Sequence, residues 1–577
     1  MEIKLRRGGE NLSAIEKILY TRDTDWSFLK PDEHDALPPT DLKNIDAAAR
    51  RILKALVHQE QVYIQVDSDC DGYTSAALLL NYMHDIAPAT VERNWIYALH
   101  KNKTHGICAE TIPEGTTLVV APDSSSNEAT IHKQLSLQGI DTVVLDHHEF
   151  ELQADETAII VNSQACGYAN PALSGVGVVY QLLRYIDSLR GTIGAALFYN
   201  DLVAVGLIGD MMDQRYAETN WYIHDGLQLF NNPFLKYLAE KNDYSMGGKR
   251  TPHSVAWFIV PFINAVTRVG SDEDKLLVFE SMLMWKAEQL IVSDKRGAKG
   301  QEELRVVQAV RHASNVKRHQ DDDKKKLLDE MYGKIEKYNL LSEPLLIIQN
   351  KGVTDDDPIR GITGLVANAL MAEFTKPTLI LNEITDEETG EITWSGSGRG
   401  FVTGGIDNWR DYIANTGDAL FAQGHAMAFG VAFTPAGLES FKQRVRKEFG
   451  NTKFEKTYVV DFIWTPNENF DSEILEIGRY KDAWGQGVPE PLVAIEHVKI
   501  SEPTEINLLQ KGTIRIDLKP SQTSLIKFGG SVDEYQQLIG KTVTFIGVCQ
   551  INEWNGRENP QIKVNDYFFE TVPTWDF

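Results

Sequence analysis

From Gln61 onward, short β-branched runs alternate with stretches whose apolar residues recur at helical spacing. The runs are VYIQV (62–66), TLVVAP (117–122), DTVVLD (141–146) and AIIVNS (158–163); between and after them lie TSAALLLNYMHDI (74–86) and GVGVVYQLLRYIDSL (175–189). Strand-length apolar runs separated by helices predict an α/β fold with a doubly wound parallel sheet, assigned here to residues 50–235. In such sheets the chemistry collects at the carboxyl ends of the strands. Residues 1–49 read as a polar, partly helical lead-in ending near HDALPPTDLKN.

The pattern changes again after residue 235. Residues 236–340 form a helical connector in which 284–340, rich in charge and carrying DDDKKK at 321–326, predict one or two long solvated helices with intrahelical ion pairs. Strands return beyond Pro344 (LLIIQN, TLILNEI), with RGITGLVANALMAEF as a helix between them and glycine-rich turns expected at SGSGRGF and AQGHAMAFGVAF, giving a second α/β domain at 341–450. Residues 451–577 are strand-rich (KTYVVDFIW, LVAIEHVKI, GTIRIDLK, KTVTFIGVCQI) and predict a small β-barrel, preferably an OB-fold.

Composition narrows the class. The chain has 577 residues, too many for one hydrophobic core, and its 42% hydrophobic and 24% charged residues are ordinary for globular domains. No stretch approaches the ~18 apolar residues of a membrane span, and the start lacks the apolar run of an export signal, so a cytoplasmic protein is expected. The four cysteines, Cys70, Cys108, Cys166 and Cys549, have no CxxC spacing and signal neither a zinc knuckle nor a disulfide framework. A net charge of −25 argues against wrapping of a polyanion by the whole surface but leaves room for a local basic channel.

Acids are placed where the strands end. VDSDCDG supplies Asp67, Asp69 and Asp71; APDSSS supplies Asp123; LDHHEF supplies Asp146, His147 and His148; GLIGDMMD, read as a final strand end, supplies Asp210 and Asp213. A single strand-end aspartate is usually a helix cap or turn residue. Four ordered clusters are better explained by a metal site, because so many like charges on adjacent strand tips need cations to neutralise them. Carboxylates with imidazole suit Mn²⁺ or Mg²⁺. Two ions about 3.5–4 Å apart, sharing a carboxylate, are suited to in-line phosphoryl displacement, so phosphodiester hydrolysis is the expected chemistry.

The ordered set DxDxDG, isolated strand-end Asp, DHH and GD resembles the four motifs of the DHH phosphoesterase superfamily over roughly residues 60–215. The resemblance implies that Asp71, Asp123, His147 and Asp210 bind one ion and Asp69 and Asp123 the second. Asp67 and Asp146 would orient ligands, and His148 would stabilise charge developing on the scissile phosphate. Two positions depart from the pattern: Gln65 stands where a histidine is common, and Ser124 to Ser126 where a glycine usually follows.

Within the superfamily, SGVGVVYQLLRYID (174–187) and PFINAVTRVGSDEDKLLVFESML (261–283) are similar to the RecJ family of single-strand-specific DNA exonucleases. That resemblance makes Ser174, Gly175 and Arg268 nucleic-acid contacts. It makes 341–450 a DHHA1 substrate-binding domain in which Arg399 and His425 bind phosphate, with Gly400 replacing the usual serine. The connector resembles the long helical link between the two halves of the RecJ core. RYKDAWGQGVPEPLVA resembles a RecJ element of the OB-like domain, with Ala483, Trp484 and Val488 departing from it. Trp484, Phe528 and Trp554 are candidates for base stacking. The implied activity is 5′-to-3′ exonucleolysis of single-stranded DNA in a bacterial or phage-infected cell, with two Mn²⁺ or Mg²⁺ ions and a single-strand-binding protein or helicase as candidate partner. An oligoribonuclease or RNA exonuclease of the same superfamily, and a noncatalytic single-strand clamp, remain as rivals; retention of every acid argues against the clamp.

Overall fold

The computed structural model describes residues 2–101, 105–149, 157–164, 167–298, 300–351, 359–386, 389–401 and 406–570. Cys166 and the last seven residues of the chain lie outside them. Cys70, Cys108 and Cys549 are all free thiols. Contacts group the chain into two units: residues 3–264, 275–310 and 458–577 in one, and 1–2, 265–274 and 311–457 in the other.

The first unit contains a five-stranded, all-parallel sheet built from β1 (Val62–Val66), β2 (Trp95–Leu99), β3 (Leu118–Pro122), β4 (Asp141–Asp146) and β5 (Ile159–Asn162). The spatial order is β2-β1-β3-β4-β5. Every residue of β1 and β3 is buried, as parallel strands covered on both faces require. The order is one of the doubly wound arrangements, in which the chain reverses direction across the sheet between β1 and β3 and opens a crevice at their carboxyl ends. The predicted fold class is therefore observed, and its switch point lies where the first two acidic motifs emerge.

Three helices of the same unit pack on one another, and the first two also pack on the sheet: α1 (Cys70–Ile86), α2 (Gly175–Arg190) and α3 (Asn200–Gly209). The run DLVAVGLIG, expected as a strand, is α3 instead. All its residues up to Ile208 are buried, so the helix has no polar face and no 3.6-residue alternation by which the sequence could declare it.

In the second unit, β6 (Leu346–Asn350), β7 (Thr378–Thr385), β8 (Ile392–Arg399), β9 (Ala419–His425) and β10 (Ala428–Phe433) form a sheet of order β9-β10-β8-β7-β6. SGSG lies inside β8 and most of AQGHAMAFGVAF inside β9 and β10, so the expected glycine-rich turns are largely strand. Gly396 lies against the Ile380 carbonyl of β7, where a larger residue would not fit. The charged segment 284–340 also differs from expectation. A small antiparallel pair, Leu290–Val292 with Glu302–Leu304, precedes a single 33-residue helix, Arg305–Lys337.

The C-terminal segment folds as a seven-stranded mixed sheet whose longest members, Lys541–Trp554 and Arg557–Phe569, form a hairpin. Its core takes in Ala14, Ile15, Ile18, Leu19 and Phe28, so the first thirty residues complete the C-terminal layer. A buried ion pair between Arg22 and Asp461 ties the two together at 2.5 and 2.8 Å.

Candidate metal centre

Asp69, Asp71 and Gly72 belong to the turn that starts α1. The Asp69 carboxylate caps the helix by accepting from the Gly72 N–H at 3.0 Å, so a cap and a candidate ligand coincide in one residue. Asp71, in the first turn, is fully buried. Its carboxylate accepts from Ser174 Oγ (3.0 Å), Gly175 N (2.7 Å) and Val176 N (3.2 Å) at the start of α2. Ser174 and Gly175, expected to touch nucleic acid, thus hold a carboxylate of the site. Both are buried, and a Cβ on Gly175 would come within 2.4 Å of Asp123 Oδ1.

Asp123 follows β3 in a left-handed backbone conformation (φ 67°), its N–H donating to the Leu145 carbonyl at 2.7 Å. Such conformations are uncommon for non-glycine residues, although aspartate tolerates them better than most, and they tend to persist at functional sites where the surroundings enforce them. His147 follows β4 and is buried. Its Nε2 lies 3.4 Å from Asp123 Oδ1, 3.3 Å from Asp210 Oδ2 and 3.9 Å from Asp71 Oδ2. Asp210 is the residue that ends α3, so a helix terminus delivers the fourth motif.

Three overlapping sets have ligand atoms mutually within 4.8 Å: Asp71, His147 and Asp210; Asp67, Asp69 and Asp123; and Asp123, His147 and His148. Asp67, expected only to orient ligands, is therefore close enough to be one. Burial, followed by the charge of Asp69, pushes the Asp71 carboxyl up to about 6. Burial and the neighbouring acids likewise push Asp123 and Asp210 well above the carboxylate range.

A donor set fits a cation when its oxygens have nothing else to satisfy them. Asp67 Oδ1, Asp123 Oδ1 and Asp210 Oδ2 are buried and accept no hydrogen bond. Buried anionic oxygens are costly without a partner. Together with one imidazole they match the oxygen-rich environment of Mn²⁺ or Mg²⁺.

Asp146 behaves differently. Burial alone would raise it, but the hydrogen bond and charge of His148, the charge of His147 and the hydrogen bond from Ser126 hold it well below the usual range. It accepts from His148 Nδ1 at 2.7 Å and from the backbone N–H groups of Ser126 (3.0 Å) and His147 (2.7 Å). In return Asp146 pushes the half-exposed His148 imidazole up to about 9.

The structure also shows what the sequence did not announce. His105 donates from Nδ1 to Asp67 Oδ2 at 2.6 Å, and Gln65 accepts from the Cys108 N–H at 3.1 Å. The signal was slight: one His-Gly pair between two strands.

In the second unit Arg399, at the end of β8, is held below its ordinary value by burial and then by the nearby charge of Arg268. Ser397 and Thr363, whose hydroxyls are 3.2 Å apart, lie close by, and Gly364 leaves room for the guanidinium. His425 is exposed at the end of β9. Trp484 is a correction. It is buried in the C-terminal core and stacked on Phe28 at 5.8 Å, which removes it from the surfaces a base could reach, whereas Phe528 and Trp554 are exposed.

Known families and proteins resemble this chain along most of its length. Residues 61–207 match the DHH family N-terminal domain, and residues 464–566 match the RecJ OB domain. The chain is 33% identical to a putative prophage-derived single-strand DNA-specific exonuclease, YorK, of Bacillus subtilis, over 98% of this chain and 97% of that protein. It is 24% identical to the single-stranded-DNA-specific exonuclease RecJ of the same organism, over 97% of this chain and 67% of the relative. Among solved structures, RecJ from Thermus thermophilus in complex with Mn²⁺ superimposes with a TM-score of 0.74 at 19% identity, covering 99% of this chain and 80% of that one.

Proposed function

Because the chain belongs to the RecJ family of single-strand-specific DNA exonucleases, we propose that it hydrolyses single-stranded DNA from the 5′ end to 5′-mononucleotides. Two divalent cations, Mn²⁺ or Mg²⁺, would serve the reaction. The observation that carries this reading is the set of three buried carboxylate oxygens without a hydrogen-bond donor, on Asp67, Asp123 and Asp210, in overlapping ligand sets, two of which contain His147.

In this account Asp71, Asp123, His147 and Asp210 hold one cation and Asp67, Asp69 and Asp123 the other, with Asp123 shared. When bound, the cations supply Lewis acidity at the scissile phosphate and lower the pKa of water. Asp71 is kept in place by three donors from α2 and cannot swing out of the site. Asp146 locks the His148 ring and keeps it protonated at neutral pH, so His148 brings positive charge to the phosphate oxygens as they gain negative charge. Arg268 and Arg399 bind a backbone phosphate through charge-assisted hydrogen bonds, and His425 is a further candidate for that contact. Exposed Trp554 offers a stacking surface for a base. The biological setting we propose is DNA recombination, repair or replication in the cytoplasm of a bacterial or phage-infected cell, with a single-strand-binding protein or helicase as partner.

The test is product analysis on end-labelled single-stranded DNA, duplex DNA and RNA with Mn²⁺, Mg²⁺ or a chelator. Labelled mononucleotide appearing first from the 5′ end of single-stranded DNA, and only with metal, is the expected result. Faster digestion of short RNA would replace it with the oligoribonuclease reading, and binding without cleavage would replace it with a clamp.

A further inference from the structure

Between β2 and β3 His105 meets the acidic mouth, and three separate side chains bind backbone groups at residues 100, 101, 107 and 108. Lys275 is buried and donates to the carbonyls of His100 (3.4 Å) and Lys101. Glu128 accepts from the Ile107 N–H at 2.9 Å, and Gln65, from β1 itself, accepts from the Cys108 N–H at 3.1 Å. Gly106 turns the chain at φ +85°, and a Cβ there would come within 2.1 Å of Glu128 Oε1. The contacts at residues 107 and 108 fix the backbone just after residue 105.

There His105 Nδ1 meets Asp67 Oδ2 at 2.6 Å. The other oxygen of the same carboxylate, Oδ1, is buried without a hydrogen-bond donor, and Asp67 belongs to the set with Asp69 and Asp123. One hydrogen bond to Oδ2 fixes the rotation of the carboxylate and so fixes where Oδ1 points. Outer groups of this kind set the orientation and basicity of metal ligands, and losing one typically costs about 10–100-fold in metal affinity or activity.

We propose that His105 is a positioning residue for the second cation site, acting through Asp67. The inference rests on the metal-site reading above and goes beyond it: a residue outside all four acidic motifs tunes one of the two sites and not the other. Asp67 belongs to the set with Asp69 and Asp123 and is not a member of the set of Asp71, His147 and Asp210.

The experiment is calorimetric titration of metal-free protein with Mn²⁺, run on wild type, His105→Ala, His105→Asn and His105→Gln, with Asp123→Ala as the control. Asparagine can place an N–H near the Nδ1 position, whereas glutamine places one nearer Nε2. The expected result is that His105→Ala and His105→Gln weaken one of two Mn²⁺ binding events roughly 10–100-fold and leave the other unchanged, while His105→Asn stays within a few-fold of wild type. Wild-type binding by His105→Ala, equal loss at both sites, or failure of His105→Asn to rescue would overturn the proposal. Failure of the metal-site reading itself looks different: wild type would then bind no Mn²⁺, or Asp123→Ala would bind it normally.

Discussion

At the mouth of the parallel sheet Asp67, Asp69, Asp71, Asp123 and Asp210 form overlapping sets with His147 and His148, and burial with mutual repulsion raises Asp71, Asp123 and Asp210 above their ordinary range. In the second unit the sign is reversed: burial and Arg268 lower Arg399. Each region brings like charges together in a buried setting, and each therefore describes its ligand by the opposite charge that would relieve it. The acids call for cations with several oxygen positions. The arginines call for an anion that can take planar, bidentate donors, which suits a phosphodiester. Asp146 and His148 supply the contrast, since a carboxylate and an imidazole that satisfy each other shift in opposite directions and need no third party.

The contrast can be broken by mutation. Asp123 enters two of the three candidate metal sets, so Asp123→Ala should reduce hydrolysis of single-stranded DNA to the level of wild type in chelator, with the circular dichroism spectrum unchanged. Cleavage at wild-type rates would remove Asp123 from the metal site. Arg399→Ala should act on binding: loss of charge-assisted hydrogen bonds worth about 1.5–3 kcal/mol raises KM roughly 10–150-fold with a much smaller change in kcat. The salt dependence of binding should also flatten by about one phosphate contact. A pure kcat defect would place Arg399 in the chemistry instead.

The smallest expected effect is on stability. Asp71 has a folded-state pKa of about 6, above the ordinary value, so its favourable contribution is complete below about pH 4 and is lost as pH rises through about 6. Asp123 and Asp210 shift the same way. In chelator, thermal melts should therefore show the metal-free protein losing stability relative to Asp123→Asn as the pH rises from about 4 through about 6, by on the order of 1 kcal/mol. Mn²⁺ should reverse the order of the two proteins at the upper pH. Parallel melting curves in chelator would mean that the acids do not repel one another in the absence of metal.

Much of the catalytic mouth was legible because its chemistry is written locally. A parallel strand buried on both faces reads as an apolar run, and the acids follow it within a few residues, so Asp67, Asp69, Asp71, Asp123, Asp146 and His147 could be assigned to strand ends before any coordinates. Asp210 was recognised but attached to the wrong element, because a helix buried on every side carries no amphipathic period. Long-range partners left no such trace. That Ser174 and Gly175 hold Asp71, that Trp484 stacks on Phe28, and that the first thirty residues complete the C-terminal core all depend on segments far apart in the chain. SGSG was read as a turn from the usual preference of glycine, whereas close approach of β7 requires small residues inside a strand. His105 was invisible for the same reason as Ser174: its meaning lies in a contact with Asp67, thirty-eight positions earlier.

The measurement that bears most directly on the account is anomalous diffraction at the manganese edge from crystals of the protein equilibrated with Mn²⁺. Two peaks about 3.5–4 Å apart, with the Asp123 carboxylate between them, are predicted. A single ion bound away from Asp123, or no ion at the carboxyl ends of β1 and β3, would contradict it.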